Sequence, residues 1–429
     1  LRVAIIGAGI VGVTTAYECA ADGHEVTVFD RRNGVASETS FANAGVLAPG
    51  YVTPWAAPGM PWKVLCSLFS AHAPVRLGRG AWAQLPWIWQ WWRACRPAVH
   101  DGNRAAMQRL AHFSRAQMDE LTRALHLEYE QAQGYLVLLR GNREVAQAQS
   151  GLRLLNELGV PFELVDAARC RAIEPGLDPD TPLHAAIHLA QDGVGNCRHF
   201  AHLLKQEAQR LGADFRFDRE VLRIVPGTKP ALEVRPVSAR RDAGDTRLEP
   251  AEFDAVIVCA GVLANGLLAP IGQGLPLAPV VGYSVTAPLR HVDGHPNLGP
   301  RAGVMDERFK VAITRLGQRI RVAGSAELGG PAGHFNETAL RTLYGVLADW
   351  FPGAAVLTQA QRWQGARPML PDGPPVLGAS GAPGVWLNVG HGSSGWALGC
   401  GSARVLAQAI AGREAPIDLA QLGPQRLRR

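Results

Sequence analysis

The stretch WQGARPMLPDGPPVLG, residues 363–378, sets one guanidinium, Arg367, among prolines, glycines and apolar side chains, with no acidic residue before Asp372. A guanidinium stays charged at any working pH and offers a planar fork to an oxyanion, so a cation in such surroundings calls for an anionic partner. That partner is either a small ligand or a structural one, Asp372 or backbone carbonyls. A second chemical signature opens the chain. In RVAIIGAGIVGVTTAYECAADGHEVTVFDRR, residues 2–32, Gly7, Gly9 and Gly12 complete G-x-G-x-x-G between a buried strand and a helix that runs to about Ala21. Gly7 permits the tight turn, Gly9 lets the backbone approach a pyrophosphate, and Gly12 lets helix and strand pack closely. The helix start at Ile10 and Val11 then faces a diphosphate with its free N–H groups.

Asp30 lies 18 residues past Gly12, where a carboxylate can accept the hydroxyls of an adenosine ribose. This favours NAD or FAD, although Arg31 and Arg32 leave a 2′-phosphate possible. The flavin choice rests on SETSFANAGVLAPGYVTPWAAPG, residues 37–59, which is small, polar and glycine-bearing. Its backbone N–H groups and the Asn43 amide suit the wrapping of a flat ring, with Ser37, Ser40, Ala44 and Gly45 beside it. Near the end, WLNVGHGSSGWALGCGSARVLAQAIAG, residues 386–412, reads as strand, glycine turn and helix. Gly390, His391, Gly392, Ser393 and Gly395 put N–H groups at a positive helix end, apt for a ring edge that gains negative charge on reduction. The same residues also suit a plain helix cap.

These residues need two kinds of scaffold. FDAVIVCAG, residues 253–261, is a continuous apolar strand of a nucleotide-binding sheet, with Gly261 at its end, and a further strand begins at Val221. VVGYSVTAP (280–288), FKVAITRL (309–316) and RIRVAGSAEL (319–328) read as strands of an antiparallel sheet, the last two joined by a Gly317-Gln318 turn. Apolar residues at helical spacing predict helices from Trp82 to about Leu125, over 142–158, 199–211 and 337–351. The polar stretch 238–252 reads as a hairpin loop. The fold class is α/β, a Rossmann-like domain with a second domain on a mainly antiparallel sheet with helices.

The chain has 429 residues, 47% hydrophobic and 19% charged, with a net charge of +6. This is an ordinary globular composition. The basic residues are dispersed, which argues against a nucleic-acid partner. The seven cysteines form no CxxC pair and no metal-ligand spacing, so no metal site is expected. A reducing, cytoplasmic location is expected, since the sequence opens on a strand without a signal-peptide pattern and carries no spanning run. At most the protein lies on the inner face of the cytoplasmic membrane. AWAQLPWIWQWWRAC, residues 81–95, raises that possibility, but its tryptophans point around a helix, which favours packing in the second domain.

The fingerprint, SETSFANAG, GYSVTAP, GARPMLPDGPPVLG and LNVGHGSSGWALGCGS occur in this order, and together the chain resembles the D-amino acid oxidase superfamily over residues 2–420. Its long motifs are closest to those of bacterial D-amino acid dehydrogenases. The resemblance implies an FAD domain from 1–50, 190–270 and 363–420, with a substrate domain from 51–189 and 271–362. It implies that Arg367 holds the carboxylate of a D-amino acid. Tyr283 is a second candidate for the same carboxylate, Tyr51 a candidate lining the pocket mouth, and His391 is assigned to flavin contact before general base. The implied reaction is hydride transfer from Cα to flavin N5, hydrolysis to a 2-oxo acid and ammonia, and electron delivery to a quinone or respiratory acceptor. An oxygen-using amino acid oxidase and a non-catalytic flavin-holding subunit are the alternatives. GHGSSGW and QDGVGNC depart from the family pattern, and 238–252 looks enlarged.

Overall fold

In the computed structural model, which describes residues 1–67, 73–238, 251–294, 298–330 and 333–427, two large sheets organise the chain. The first has six strands in the order Val376–Ala379, Val385–Val389, Ala255–Val258, Arg2–Ile6, Glu25–Phe29 and Asp214–Arg216. All its pairings are parallel except the one between its first two strands. The strands are near-continuous apolar runs because both faces are covered. On one side the helices Ile10–Ala21, Cys197–Arg210 and Gly395–Ile410 close a core containing Val13, Phe200, Leu204, Cys400 and Leu406.

The second sheet has ten strands, eight of them in the order Gln361–Met369, Ala278–Pro288, Arg319–Leu328, Val311–Leu316, Gly303–Asp306, Ala132–Leu139, Ala185–Val194 and Val46–Leu47. Val75–Leu77 and Glu163–Asp166 attach at its side. Only two of its pairings are parallel, Gly303–Asp306 with Ala132–Leu139 and Arg319–Leu328 with Val75–Leu77. Gly317, with φ of +59°, makes the turn between Leu316 and Arg319, as its sequence position predicts. One face of this sheet packs on helix Glu337–Trp350 through Tyr283, Val285, Leu343 and Leu347.

Two expected domain boundaries fall inside strands. Residues 190 and 363 cut Ala185–Val194 and Gln361–Met369, and both strands lie wholly in the ten-stranded sheet, as does Val46–Leu47. Periodicity finds strands but does not say which sheet they join. Arg367 therefore stands on a strand of the ten-stranded sheet, opposite Val280. Of the expected hairpin loop at 238–252, residues 239–250 lie outside the described residues.

Candidate active site

The nucleotide cradle is built by steric necessity. Gly7 has φ of +105°, and a Cβ there would sit 2.6 Å from the Cys259 carbonyl oxygen, while a Cβ on Gly12 would overlap the Gly7 carbonyl. Asp30 follows the strand Glu25–Phe29 and accepts from Ala8 N at 2.6 Å and from Arg32 N at 2.8 Å. These bonds fix its carboxylate against the cradle, and among the described residues its other lone pairs remain free. Arg31 and Arg32 both bind Glu38, at 2.5 Å and 2.7 Å, which occupies the two cations nearest in sequence to a 2′-phosphate on a ribose at Asp30.

The loop after the second strand turns its side chains inward more than expected. Ser40 accepts from Ile10 N at 3.1 Å, and Ser37 donates to Gly34 O at 2.8 Å. The Asn43 amide oxygen accepts from Gly45 N at 3.1 Å, so the side chain expected to wrap a ring is used within its own loop. Its backbone is a different matter. Ser284, Arg321 and Thr314 donate to the consecutive carbonyls of Ala42, Asn43 and Ala44 at 2.7, 2.9 and 3.0 Å.

All the nucleotide-side candidates except Gly12 and Gly45 line one continuous cavity of about 1480 Å³, which also takes in Val221, Gly261, Tyr51, Arg367 and the turn from Gly390 to Gly395. This exceeds the roughly 300–1,000 Å³ of an ordinary ligand site and matches a dinucleotide with a small second ligand beside it. Gly390 and Gly392 have φ of +80° and +56°, and Cβ atoms there would meet the Leu370 side chain and Met369 Sδ. The turn therefore presses on the strand that carries Arg367.

Arg367 reaches the cavity across Gly282, where any Cβ would collide with its guanidinium. The arrangement has a cause in the strands. The pairing of Ala278–Pro288 with Arg319–Leu328 shifts register between Val281 and Tyr283, and in this β-bulge Ser325 takes φ of +61°. The Ser325 carbonyl accepts from Arg367 Nη1 at 2.8 Å. Among the described residues no carboxylate pairs with Arg367. Asp372, the structural partner considered from sequence, is bound by Arg426 at 2.7 Å. Burial lowers the Arg367 pKa to about 10, which leaves the cation intact at neutral pH.

The other catalytic candidates differ. Tyr283 alternates away from Arg367, because Val280 and Gly282 share the guanidinium's face while Tyr283 packs in the core with helix Glu337–Trp350. Its hydroxyl donates to Glu327 at 2.8 Å, while the residue also contributes to the lining of the cavity. The identity of the residue was legible, but its face depended on register. Tyr51 lines the cavity with its hydroxyl donating to Glu307 at 2.7 Å and accepting from Lys310 at 3.0 Å. Buried His391 lies 3.0 Å, through Nε2, from Ser402 Oγ, and because that hydroxyl donates to Gly399 O, Nε2 is the donor. Burial drops the His391 pKa to about 3, so it is neutral and not a base near neutrality.

Sequence reasoning missed Ser284, Thr314 and Arg321. Polar residues alternating with apolar ones in a strand read as a solvent face, yet this face is covered by the 37–45 loop. The profile of the family described as FAD dependent oxidoreductase matches residues 2–409. The chain belongs to this family. FAD is accordingly the cofactor that the cradle, Asp30 and the long cavity fit. Among curated relatives, D-amino acid dehydrogenase of Rhizorhabdus wittichii is 42% identical over 430 residues, covering 99% of this chain and 100% of that protein. The protein of the same name from Cereibacter sphaeroides is 42% identical, covering 99% of this chain and 95% of its own. Among solved structures, glycine oxidase from Geobacillus kaustophilus superposes with a TM-score of 0.75 at 20% identity, covering 99% of this chain and 98% of that one. L-Proline dehydrogenase from P. horikoshii gives 0.72 at 18% identity, covering 100% and 98%. These likenesses establish the fold of the family.

Proposed function

We propose that the chain catalyses oxidative deamination of D-amino acids to 2-oxo acids and ammonia, passing the electrons to a quinone or respiratory acceptor. The observation that carries the reading is the Arg367 guanidinium, a cation on the cavity wall without a carboxylate partner among the described residues. The names of the full-length relatives at 42% identity support the substrate class. Bound FAD supplies the acceptor for the hydride leaving Cα. The protein's part is to hold the substrate: Arg367 grips both carboxylate oxygens, and the bulge carbonyl of Ser325 fixes the angle of the fork. Gly282 leaves the space in which the fork lies. With His391 neutral and a poor acceptor, that residue does not take the proton the substrate amine gives up, which passes to water.

Delivery to a lipid-borne acceptor is supported by the surface. Of the tryptophans whose dispersion around a helix favoured internal packing, Trp87 is buried and donates to Met369 O at 3.0 Å, whereas Trp82, Trp89 and Trp92 are at least half exposed. Trp62, 71% exposed, lies on the helix Met60–Ser67, whose residues Met60, Lys63 and Val64 line the cavity. Exposed indoles of this kind suit a membrane interface. No described helix is long and apolar enough to cross a membrane.

The test is anaerobic mixing of the FAD-loaded protein with D- and L-amino acids while oxidised-flavin absorbance is followed. Loss of absorbance with D-enantiomers, restored by a quinone analogue faster than by air, is the expected result. Rapid reoxidation by air with peroxide release identifies an oxidase instead. Absence of bleaching with every amino acid identifies a flavin-holding subunit.

A further inference from the structure

Arg321 is 5% exposed and, among the described residues, has no carboxylate bonded to it. It stands mid-strand in Arg319–Leu328, in one cross-strand row with Thr286 and Thr314. Nε donates to Thr286 Oγ1 at 2.8 Å and Nη1 to the Asn43 carbonyl at 2.9 Å. The charged groups around it are Arg319, Arg198 and Glu130. Glu130 is already bonded by Arg319 Nη2, at 3.0 and 2.8 Å, so positive charge is in excess on this side of the loop. Burying an uncompensated cation is costly, and a protein that keeps one in its interior has a use for its field.

The row does more than hold a charge. With Ser284 and Thr314 it turns three successive carbonyls, those of Ala42, Asn43 and Ala44, onto the sheet. In a planar trans peptide the N–H points opposite to the C=O. The N–H groups of Asn43, Ala44 and Gly45 are thus directed off the sheet. Gly45 N is bonded by the Asn43 amide, whereas Asn43 and Ala44 line the cavity with no hydrogen bond to either N–H among the described residues. Two adjacent donors facing a cavity, with a cation behind the peptide that joins them, form a site for an electron-rich acceptor edge.

We propose that Arg321 is a positioning residue for the bound flavin. It aims the Asn43 and Ala44 N–H groups at the ring and, through the polarised Asn43–Ala44 peptide, stabilises the reduced, more negative flavin over the oxidised one. The proposal rests on the FAD-binding reading of the 37–45 loop, and is independent of which amino acid is oxidised.

The experiment compares the FAD-loaded wild-type protein with Arg321→Met, Arg321→Lys and Thr314→Val. Flavin midpoint potentials are measured by dithionite titration without any amino acid, and FAD dissociation constants by flavin fluorescence. Arg321→Met is expected to weaken binding of reduced relative to oxidised flavin at least tenfold, a fall of about 30 mV for a two-electron couple. Arg321→Lys should recover most of that fall, since it restores the charge without the fork. Thr314→Val removes one tether and no charge, and should weaken FAD binding with little change in potential. A wild-type potential in Arg321→Met overturns the proposal. If that variant does not fold, a fall of the same size in Thr314→Val overturns it, because the shift would then follow loop order and not charge. Since no turnover is involved, failure of the D-amino acid reading would leave these measurements unaffected.

Discussion

Arg367 is anchored by one backbone carbonyl, at Ser325, and its fork lies over a glycine. Its loss should therefore spare the fold while removing the substrate's anchor. For Arg367→Ala, KM should rise and kcat/KM fall by roughly two orders of magnitude or more, a loss of about 3 kcal/mol. Gly282→Ala tests the same geometry from the other side, because the added methyl must displace the guanidinium and no backbone atom is among its three nearest neighbours. It should raise KM about tenfold or more with FAD content unchanged. Wild-type KM in both variants, with FAD bound, would remove Arg367 from the site.

Between strand and helix, the first turn tolerates no side chain. Gly12 opens helix Ile10–Ala21 against the Gly7 carbonyl, where a Cβ has no room, and neither partner is the end of a flexible chain. Gly12→Ala should purify without FAD or lose it on dilution, with flavin fluorescence as the readout. A variant that retained stoichiometric FAD would show that helix and turn can part without cost. The fingerprint was legible as a pattern because Gly7 and Gly12 each answer to a local clash. The loop that follows was only half legible: its small residues suggested a ring contact, but not that the Asn43 amide oxygen accepts from Gly45 N or that the sheet holds the carbonyls of Ala42, Asn43 and Ala44.

Across the fold, one buried acid couples stability to pH. Asp192, in strand Ala185–Val194, has a carboxyl raised to about 7, chiefly by burial, with the Arg115 charge opposing. A folded pKa above the unfolded value of 3.8 means the native state binds the extra proton. The associated stability is complete at low pH and is lost as pH rises through about 7. Asp192→Asn, which mimics the protonated acid, should match the wild-type Tm near pH 4 and exceed it increasingly toward pH 8. An equal offset at both ends would assign its effect to packing. The exposed tryptophans act at the same level of organisation. Joint replacement of Trp82, Trp89 and Trp92 by Ser should abolish flotation with anionic vesicles while leaving the reduction of a water-soluble quinone analogue intact. Unchanged flotation would count against the proposed membrane contact of these tryptophans.

By itself the sequence determined what is local. Gly7, Gly9, Gly12 and Asp30 announced a dinucleotide cradle because their spacing answers to turn sterics and phosphate charge, and Arg367 stood out because its neighbours offered no counter-ion. The strands Ala278–Pro288, Val311–Leu316 and Arg319–Leu328 were readable from their residue types. Only the tertiary structure decided which face each side chain took. A β-bulge and strand register put Tyr283 in a core and left Arg367 over Gly282, and a covering loop turned the polar face with Arg321 into an interior. A period of two fixes that neighbours face opposite ways, but which way each faces depends on what the remainder of the chain lays against the sheet.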